Sequence, residues 1–210
     1  MTGVTLINRT RLKLRDVATD VSQGEFWTDD ELLAVLNACQ LSFINFCLNK
    51  GLYQELFLLM TSKEVSGQWD NLPLDYLHYQ SGRVNLNGMD VVAKIFLGGD
   101  GFGFLNSNLE AFIIFNNLVS VRVGTSFGSG ILYYYKNPSR IDTGTFADSF
   151  NWEGYRLISD YAVTVLGMKE IQTSRDFKTK KRLVEELAVN PPIFANYLRD
   201  KESIVKQKEQ

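Results

Sequence analysis

Apolar residues recur with a helical period along the first third of the chain. The opening residues predict a first helix, in which one apolar face is interrupted by Arg11 and contains Val4, Ile7, Leu14 and Val17. A second apolar pattern, over residues 52–60, predicts a short helix that follows Gly51. We expect the apolar side chains of both segments to lie in a core.

The strongest local signal marks a helix over residues 28–51. Thr28-Asp29-Asp30-Glu31 has the sequence of a capping box, in which the Thr28 hydroxyl and the Glu31 carboxylate each accept a backbone N–H. Apolar residues then repeat every three or four positions as far as Cys47, and Gly51 suits the left-handed cap that ends many helices.

From Gly67 onward, short runs of β-branched and aromatic residues alternate with Gly and Asn clusters, which predicts strands and turns. The predicted strands are 75–79, 89–94, 111–115, 118–123 and 131–135, with Asn116-Asn117 as a hairpin turn. Three consecutive tyrosines, Tyr133-Tyr134-Tyr135, indicate an edge strand that exposes a ring. The Gly-rich segment 98–104 predicts a protruding loop whose Phe102 and Phe104 contact another protein.

The helical period returns over residues 150–170 and again over 176–189, where Asn190-Pro191-Pro192 ends it. The remaining chain is charged but holds five apolar residues, which predict a C-terminal arm that docks on a partner: Ile193, Phe194, Tyr197, Leu198 and Ile204. These patterns divide the chain into N-terminal helices (1–66), a β-rich insertion (67–140), returning helices (141–190) and the arm (191–210). The predicted fold class is α+β: a helical bundle with an inserted antiparallel β-sheet and an extended or helical C-terminal arm.

Composition narrows the range of functions. The 210 residues include 22 basic and 24 acidic side chains, so no overall positive field favours general nucleic-acid binding. Residues 169–210 carry 10 basic and 7 acidic groups, which leaves the rest of the chain more acidic than the whole. The two cysteines, Cys39 and Cys47, are predicted to be reduced core residues. The apolar runs are shorter than a bilayer requires, and no signal segment is evident, so we expect no membrane partner.

Catalytic chemistry finds little support in the sequence. The single histidine, His78, lies in a predicted strand without a nucleophile motif, and no metal-ligand spacing occurs. The Gly-rich segment lacks the Lys-Ser/Thr ending of a phosphate-binding loop, and Asp176-Phe177-Lys178 lacks the companion acid of a nuclease. The basic cluster 178–182 has the pattern of a solvated helix face. We therefore predict no catalytic, metal or cofactor-binding residues and no cofactor.

The order of short motifs resembles the head-to-tail adaptor (connector) proteins of tailed bacteriophages. The N-terminal part of the likeness is Arg11 and Asp16 within residues 7–16, then Phe26-Trp27-Thr28-Asp29-Asp30-Glu31-Leu32-Leu33 and Leu36-Asn37-Ala38. The central part is Leu72-Pro73-Leu74-Asp75-Tyr76-Leu77 and the strand 131–138. The returning helix contributes Asp160-Tyr161-Ala162 and Lys169-Glu170.

The resemblance implies a virion protein of the neck, assembled in the host cytoplasm, that forms a dodecameric ring between the portal at the capsid vertex and the tail. Its partners would be the portal protein, neighbouring copies and a tail or neck protein below, and genomic DNA would pass through the ring without sequence-specific binding. It also implies no enzymatic activity and a C-terminal segment that docks on the portal. Two alternatives remain open: another neck or tail component, such as a stopper or tail terminator, and a hydrolase or nuclease that uses Asp75, Asp90 or Glu110.

Overall fold

The computed structural model describes residues 2–14, 27–66, 68–86, 89–98, 110–144 and 147–172, together with residues 193, 194, 196 and 199. These residues fall into two compact units. The helical unit comprises Met1–Leu58 and Pro138–Gln210, and the sheet unit comprises Leu59–Asn137. Both ends of the chain therefore belong to the helical unit.

In the described part of the helical unit there are three α-helices: α1 (Gly3–Leu14), α2 (Asp29–Lys50) and α3 (Trp152–Gln172). A 3-10 helix, Tyr53–Leu59, follows α2. The predicted caps of α2 are confirmed: Glu31 donates its backbone N–H to the Thr28 hydroxyl at 3.3 Å, and Thr28 donates its own to the Glu31 carboxylate at 3.0 Å. Gly51 ends the helix with φ 69°.

All three helices pack against one another around a core of fully buried side chains, which include Leu6, Leu32, Leu36, Phe43, Ile158 and Leu166. Arg11, which interrupts the apolar face of α1, is also buried, and its guanidinium binds the Asp29 carboxylate at 2.7 Å. The interruption is thus an ion pair between α1 and the first turn of α2.

The residues of the sheet unit that the structure describes form eight strands: β1 (Met60–Ser66), β2 (Asp70–Asn71), β3 (Tyr76–Leu86), β4 (Met89–Leu97), β5 (Ala111–Phe115), β6 (Leu118–Val123), β7 (Ser126–Phe127) and β8 (Ser129–Lys136). Their order is β1-β8-β3-β4-β5-β6-β2, and β7 pairs with β6. All pairs are antiparallel except β4 and β5, which are parallel. The predicted turn is confirmed, since Asn116 and Asn117 both have positive φ between β5 and β6.

The sheet curls on itself as a half-barrel. Strands β1 and β6 are far apart in the sheet order but contact each other. Side chains help to join the two edges: the Lys63 ammonium donates to the Asn71 carbonyl, and Ser66 N–H donates to the Asp70 carboxylate at 2.8 Å. The concave side holds an apolar core of Val65, Val84, Ala93, Phe112, Ile114, Val119, Val121 and Leu132.

The predicted fold class, a helical bundle with a small inserted antiparallel sheet, is wrong. The sheet dominates the fold and is mixed, with eight strands among the described residues that form a curled half-barrel. Thirteen residues separate Leu97 from Ala111, which is long enough for the crossover that a parallel pair requires. The parallel pairing depends on this connection and on contacts distant in sequence, so local alternation of residues does not reveal it.

Three further expectations need correction. Residues 53–59 form a 3-10 helix in place of an α-helix, and residues 60–66 form the strand β1, whose mostly polar sequence gives a weak strand signal. Strand β8 lies between β1 and β3, so Tyr133–Tyr135 are in an interior strand, with Tyr134 and Tyr135 buried. The predicted helix 176–189 lies outside the described residues.

Candidate functional site

The C-terminal segment contributes one side chain to the core of the helical unit. Phe194 is fully buried, and its ring lies 5.3 Å from those of Phe43 and Phe46 on α2 and 4.8 Å from that of Tyr161 on α3. Phe43 and Phe46 are three residues apart and therefore share a helix face. We call these three rings the aromatic pocket. Phe194 thus has a position in the core of its own chain, whereas the sequence predicted that it contacts a partner.

Of the other predicted contact residues of the arm, the structure describes only Ile193. Ile193 is partly buried, whereas Asn196 and Arg199 are exposed. Tyr197, Leu198 and Ile204 lie outside the described residues, as do the loop residues Phe102 and Phe104. Of the described residues of the segment, Phe194 thus lies in the core of the helical unit, and Asn196 and Arg199 lie at the surface.

Large apolar side chains remain exposed on the 3-10 helix. Tyr53, Phe57 and Leu58 are 48%, 66% and 49% exposed, while Leu56 and Leu59 beside them are fully buried. Because a 3-10 helix repeats every three residues, Leu56 and Leu59 share one side of it, and Phe57 and Leu58 lie on its other sides. A helical period selects the residues of one face, so the apolar pattern over residues 52–60 did not reveal the exposed Tyr53, Phe57 and Leu58.

A cation and an aromatic ring share a second exposed surface of the helical unit. The Arg9 guanidinium of α1 lies 5.9 Å from the ring of Trp152, the first residue of α3, and 3.4 Å from the Asp160 carboxylate. Lys13 also binds Asp160. Trp152 is 58% exposed, although its spacing predicted a place in the apolar stripe of α3. Trp and Arg are enriched where proteins bind one another.

The sheet unit carries a groove of about 330 Å³ at one end of β1, β8, β3 and β4. Glu64, Arg83 and Asp90 line it together with Asn85 and serine side chains. The Asn85 amide donates to Asp90 at 3.3 Å, and the Arg83 guanidinium lies 5.9 Å from the ring of Tyr133. All these charged side chains are exposed, so water screens them and the groove holds no preorganised reactive group.

The histidine and the two cysteines, which could take part in catalysis, lie in surroundings that do not activate them. His78 is partly buried and stacks on Tyr79 with ring centroids 4.8 Å apart, and burial lowers its pKa. Cys39 and Cys47 are buried and belong to no disulfide, and burial raises the pKa of Cys39 to about 12. Burial thus favours the neutral forms of His78 and Cys39.

The three carboxylates proposed for a hydrolase are not brought together by any contact in the structure. Asp75 accepts a hydrogen bond from the Tyr134 hydroxyl at 3.2 Å, and Asp90 accepts one from Asn85. Burial and the Asp75 carboxylate raise the pKa of Tyr134 to about 12, so it donates as a neutral phenol. Within the described ranges, no three His, Cys, Asp or Glu side chains are grouped so as to hold a metal ion.

Helix α2 is long and apolar enough to cross a bilayer by length and composition alone. Its uninterrupted apolar runs are shorter than a bilayer requires, because polar residues such as Asn37 and Gln40 interrupt them. In the structure, its buried side chains form the core of the helical unit with α1 and α3. Core helices of water-soluble folds pass the same length and composition test.

Comparison with known proteins provides no further guide. No protein-family model matches the chain, and no curated protein matches its sequence.

Proposed function

We propose that this chain is a structural adaptor of a tailed-bacteriophage neck, copies of which form a ring that joins the portal to the tail. The observation that carries the proposal is the order of the elements. Among the described residues, α1, α2 and the 3-10 helix precede the sheet unit and α3 follows it, and the segments on both sides of the sheet unit belong to the helical unit. The motifs that resemble the connector family occur in this same order along the chain.

Exposed apolar side chains supply surfaces for assembly. Phe57 on the 3-10 helix and Trp152 on α3 are each more than half exposed, and Arg9 lies against the Trp152 ring. Burial of such side chains against another copy or the portal removes apolar area from water at about 25 cal/mol per Å². A ring repeats each interface, so modest contacts add up to a stable assembly.

Charge also supports a structural role around DNA. The chain carries a formal net charge of −2, and its basic excess lies in residues 169–210. A mildly acidic wall would let DNA pass, because basic side chains would bind the phosphates and release counterions. The C-terminal segment would carry the contact with the portal, through residues that follow Phe194.

Portal binding tests the proposal. The full chain is passed over an immobilised portal ring from the same genome, and we expect saturable binding at micromolar concentration or below. The double variant Leu198→Asp, Ile204→Asp places charges in the docking segment and should weaken binding by about tenfold or more. Lys208→Ala, in the same segment, is the control and should bind as the unaltered chain does. Absence of binding by the unaltered chain would reject the adaptor role, and binding to a tail protein would indicate a stopper or terminator.

A further inference from the structure

We propose that the aromatic pocket is a binding site for a phenylalanine-bearing segment, and that it takes Phe194 of a second copy of this chain. The pocket consists of Phe43, Phe46 and Tyr161, which α2 and α3 supply without help from the segment itself. Its rings surround Phe194 in tilted arrangements, with ring centroids 4.8 to 5.3 Å apart, within the range of separations that aromatic pairs prefer. The ligand class is therefore an aromatic side chain on a peptide.

The segment enters the pocket from the surface. Phe194 is fully buried, but its neighbours Asn196 and Arg199 are exposed, and Ile193 is only partly buried. Phe46 is itself partly exposed at the rim of the pocket. Among the described residues of the segment, Phe194 alone is fully buried. Exchange of the segment between copies therefore breaks the packing of this side chain in one copy and forms it again in the other.

The length of the chain permits exchange between copies. Twenty residues separate Gln172, the last residue of α3, from Ile193. With the predicted helix over 176–189 formed, such a connection reaches roughly 40 Å, whereas α2 spans only about 33 Å. A Phe194 that begins at the end of its own α3 can therefore reach the pocket of an adjacent copy.

Because the copies are identical, exchange of the segment does not change the packing energy of Phe194 within the pocket. The same three rings receive the same phenylalanine whether the segment belongs to the chain or to its neighbour, which is the condition for domain swapping. Where copies are held side by side, as in the ring proposed above, the neighbour's segment is present at high effective concentration. The exchange would then link each copy to the next; this part of the inference rests on the proposed function.

A complementation experiment tests the site without portal or ring. Phe194→Ala, in the full chain, leaves an empty pocket and serves as the acceptor. Phe46→Asp places a charge at the pocket rim, frees the segment and serves as the donor. Mixed in equal amounts at micromolar concentrations, the two variants should form a heterodimer by native mass spectrometry, whereas each variant alone stays mainly monomeric. Asn196→Ala changes an exposed residue and, mixed with Phe194→Ala, should form about tenfold less heterodimer.

A labelled peptide of residues 190–199 provides the second measurement. It should bind Phe194→Ala at least about tenfold more tightly than it binds the unaltered chain, whose pocket is filled, and a peptide with Ala at the Phe194 position should not bind. If Phe194→Ala loses its helical circular dichroism, Phe194→Leu replaces it in both assays. Folded variants that form no heterodimer and bind no peptide would overturn the proposal while leaving the portal-binding test of the adaptor role unaffected.

Discussion

At the scale of single residues, two glycines leave the space that an aromatic ring fills in the core of the sheet unit. A Cβ on Gly82 of β3 would lie 2.4 Å from the Phe112 ring, and one on Gly130 of β8 would lie 2.9 Å from the same ring and 2.6 Å from the Arg83 carbonyl oxygen. The fully buried Phe112 therefore occupies space that two glycines on adjacent strands leave open.

Gly82→Ala tests this packing. The added methyl group must displace the Phe112 ring in a closely packed core, which should destabilise the fold by about 2 kcal/mol in urea unfolding. Gly144→Ala is the control, because its added Cβ would come no closer than 3.6 Å to another atom, and it should change little. The double variant Gly82→Ala, Phe112→Leu should recover part of the stability relative to Phe112→Leu alone. Purely additive losses would show that the two residues do not share space.

Arg11 interrupts the apolar pattern of α1, and the structure explains its presence there. It is 5% exposed and binds Asp29, an acidic residue in the first turn of α2. Arg11→Ala removes a charge-assisted hydrogen bond and buried aliphatic packing, and we expect a loss of about 2 kcal/mol in thermal or urea unfolding. Arg140→Ala, at an exposed position in the same unit, should change stability by less than about 0.5 kcal/mol. Equal effects of the two substitutions would contradict this role for Arg11.

At the scale of elements, two amides of α2 hold the chain that returns from the sheet unit. Asn37 accepts the Ile141 N–H at 2.9 Å and donates to the Ile141 carbonyl at 3.0 Å. Gln40 donates to Asn37 at 3.1 Å and to the Ser139 carbonyl at 3.3 Å. Because Ile141 is buried, its backbone groups have no access to water and depend on Asn37.

Asn37→Ala should therefore cost about 3 kcal/mol, since it leaves two buried backbone groups of Ile141 without their partner. Hydrogen exchange should locate the damage, with the Ile141 amide losing protection before the amides in the middle of α2. Asn49→Ala, at the exposed end of the same helix, is the matched control and should leave stability and exchange unchanged. Retained protection of Ile141 in Asn37→Ala would show that another group satisfies it.

Elements with local signals could be predicted from the sequence, and those set by distant contacts could not. Helix α2 follows from its capping box and apolar period, and the β5–β6 hairpin follows from Asn116-Asn117, because each signal acts within a few residues. The parallel pairing of β4 with β5 and the insertion of Phe194 into its pocket join residues far apart in sequence. Strand β1 was missed because its alternation contains a single buried apolar residue, Val65.

At the scale of the whole molecule, both thiols report on global unfolding. Burial raises the pKa of Cys39 from 9.0 to about 12, so at pH 8 the thiol is almost entirely protonated, and Cys47 is fully buried. Since the thiolate is the reactive form, folded protein should react with Ellman's reagent about a thousandfold more slowly than urea-unfolded protein, in which two thiols react at once. Rapid labelling of either cysteine in the folded protein would show that the core of the helical unit opens locally.

The arrangement of surface and charge favours assembly over chemistry. Exposed apolar side chains on the helical unit, a mildly acidic chain and a C-terminal segment anchored by Phe194 are the features from which we infer an adaptor ring. The sheet unit has exposed apolar residues of its own on β4, Met89 and Val92, which are three positions apart and therefore face opposite sides of the sheet.

Counting the copies on a portal ring tests the adaptor role most directly. The purified full chain is titrated against the portal ring from the same genome, and each complex is weighed by native mass spectrometry. We predict stepwise filling that ends at about one copy per portal subunit, because a ring must match or closely follow the symmetry of its support. A portal that stays bare at micromolar concentrations of the folded chain, or that binds a single copy, would contradict the account.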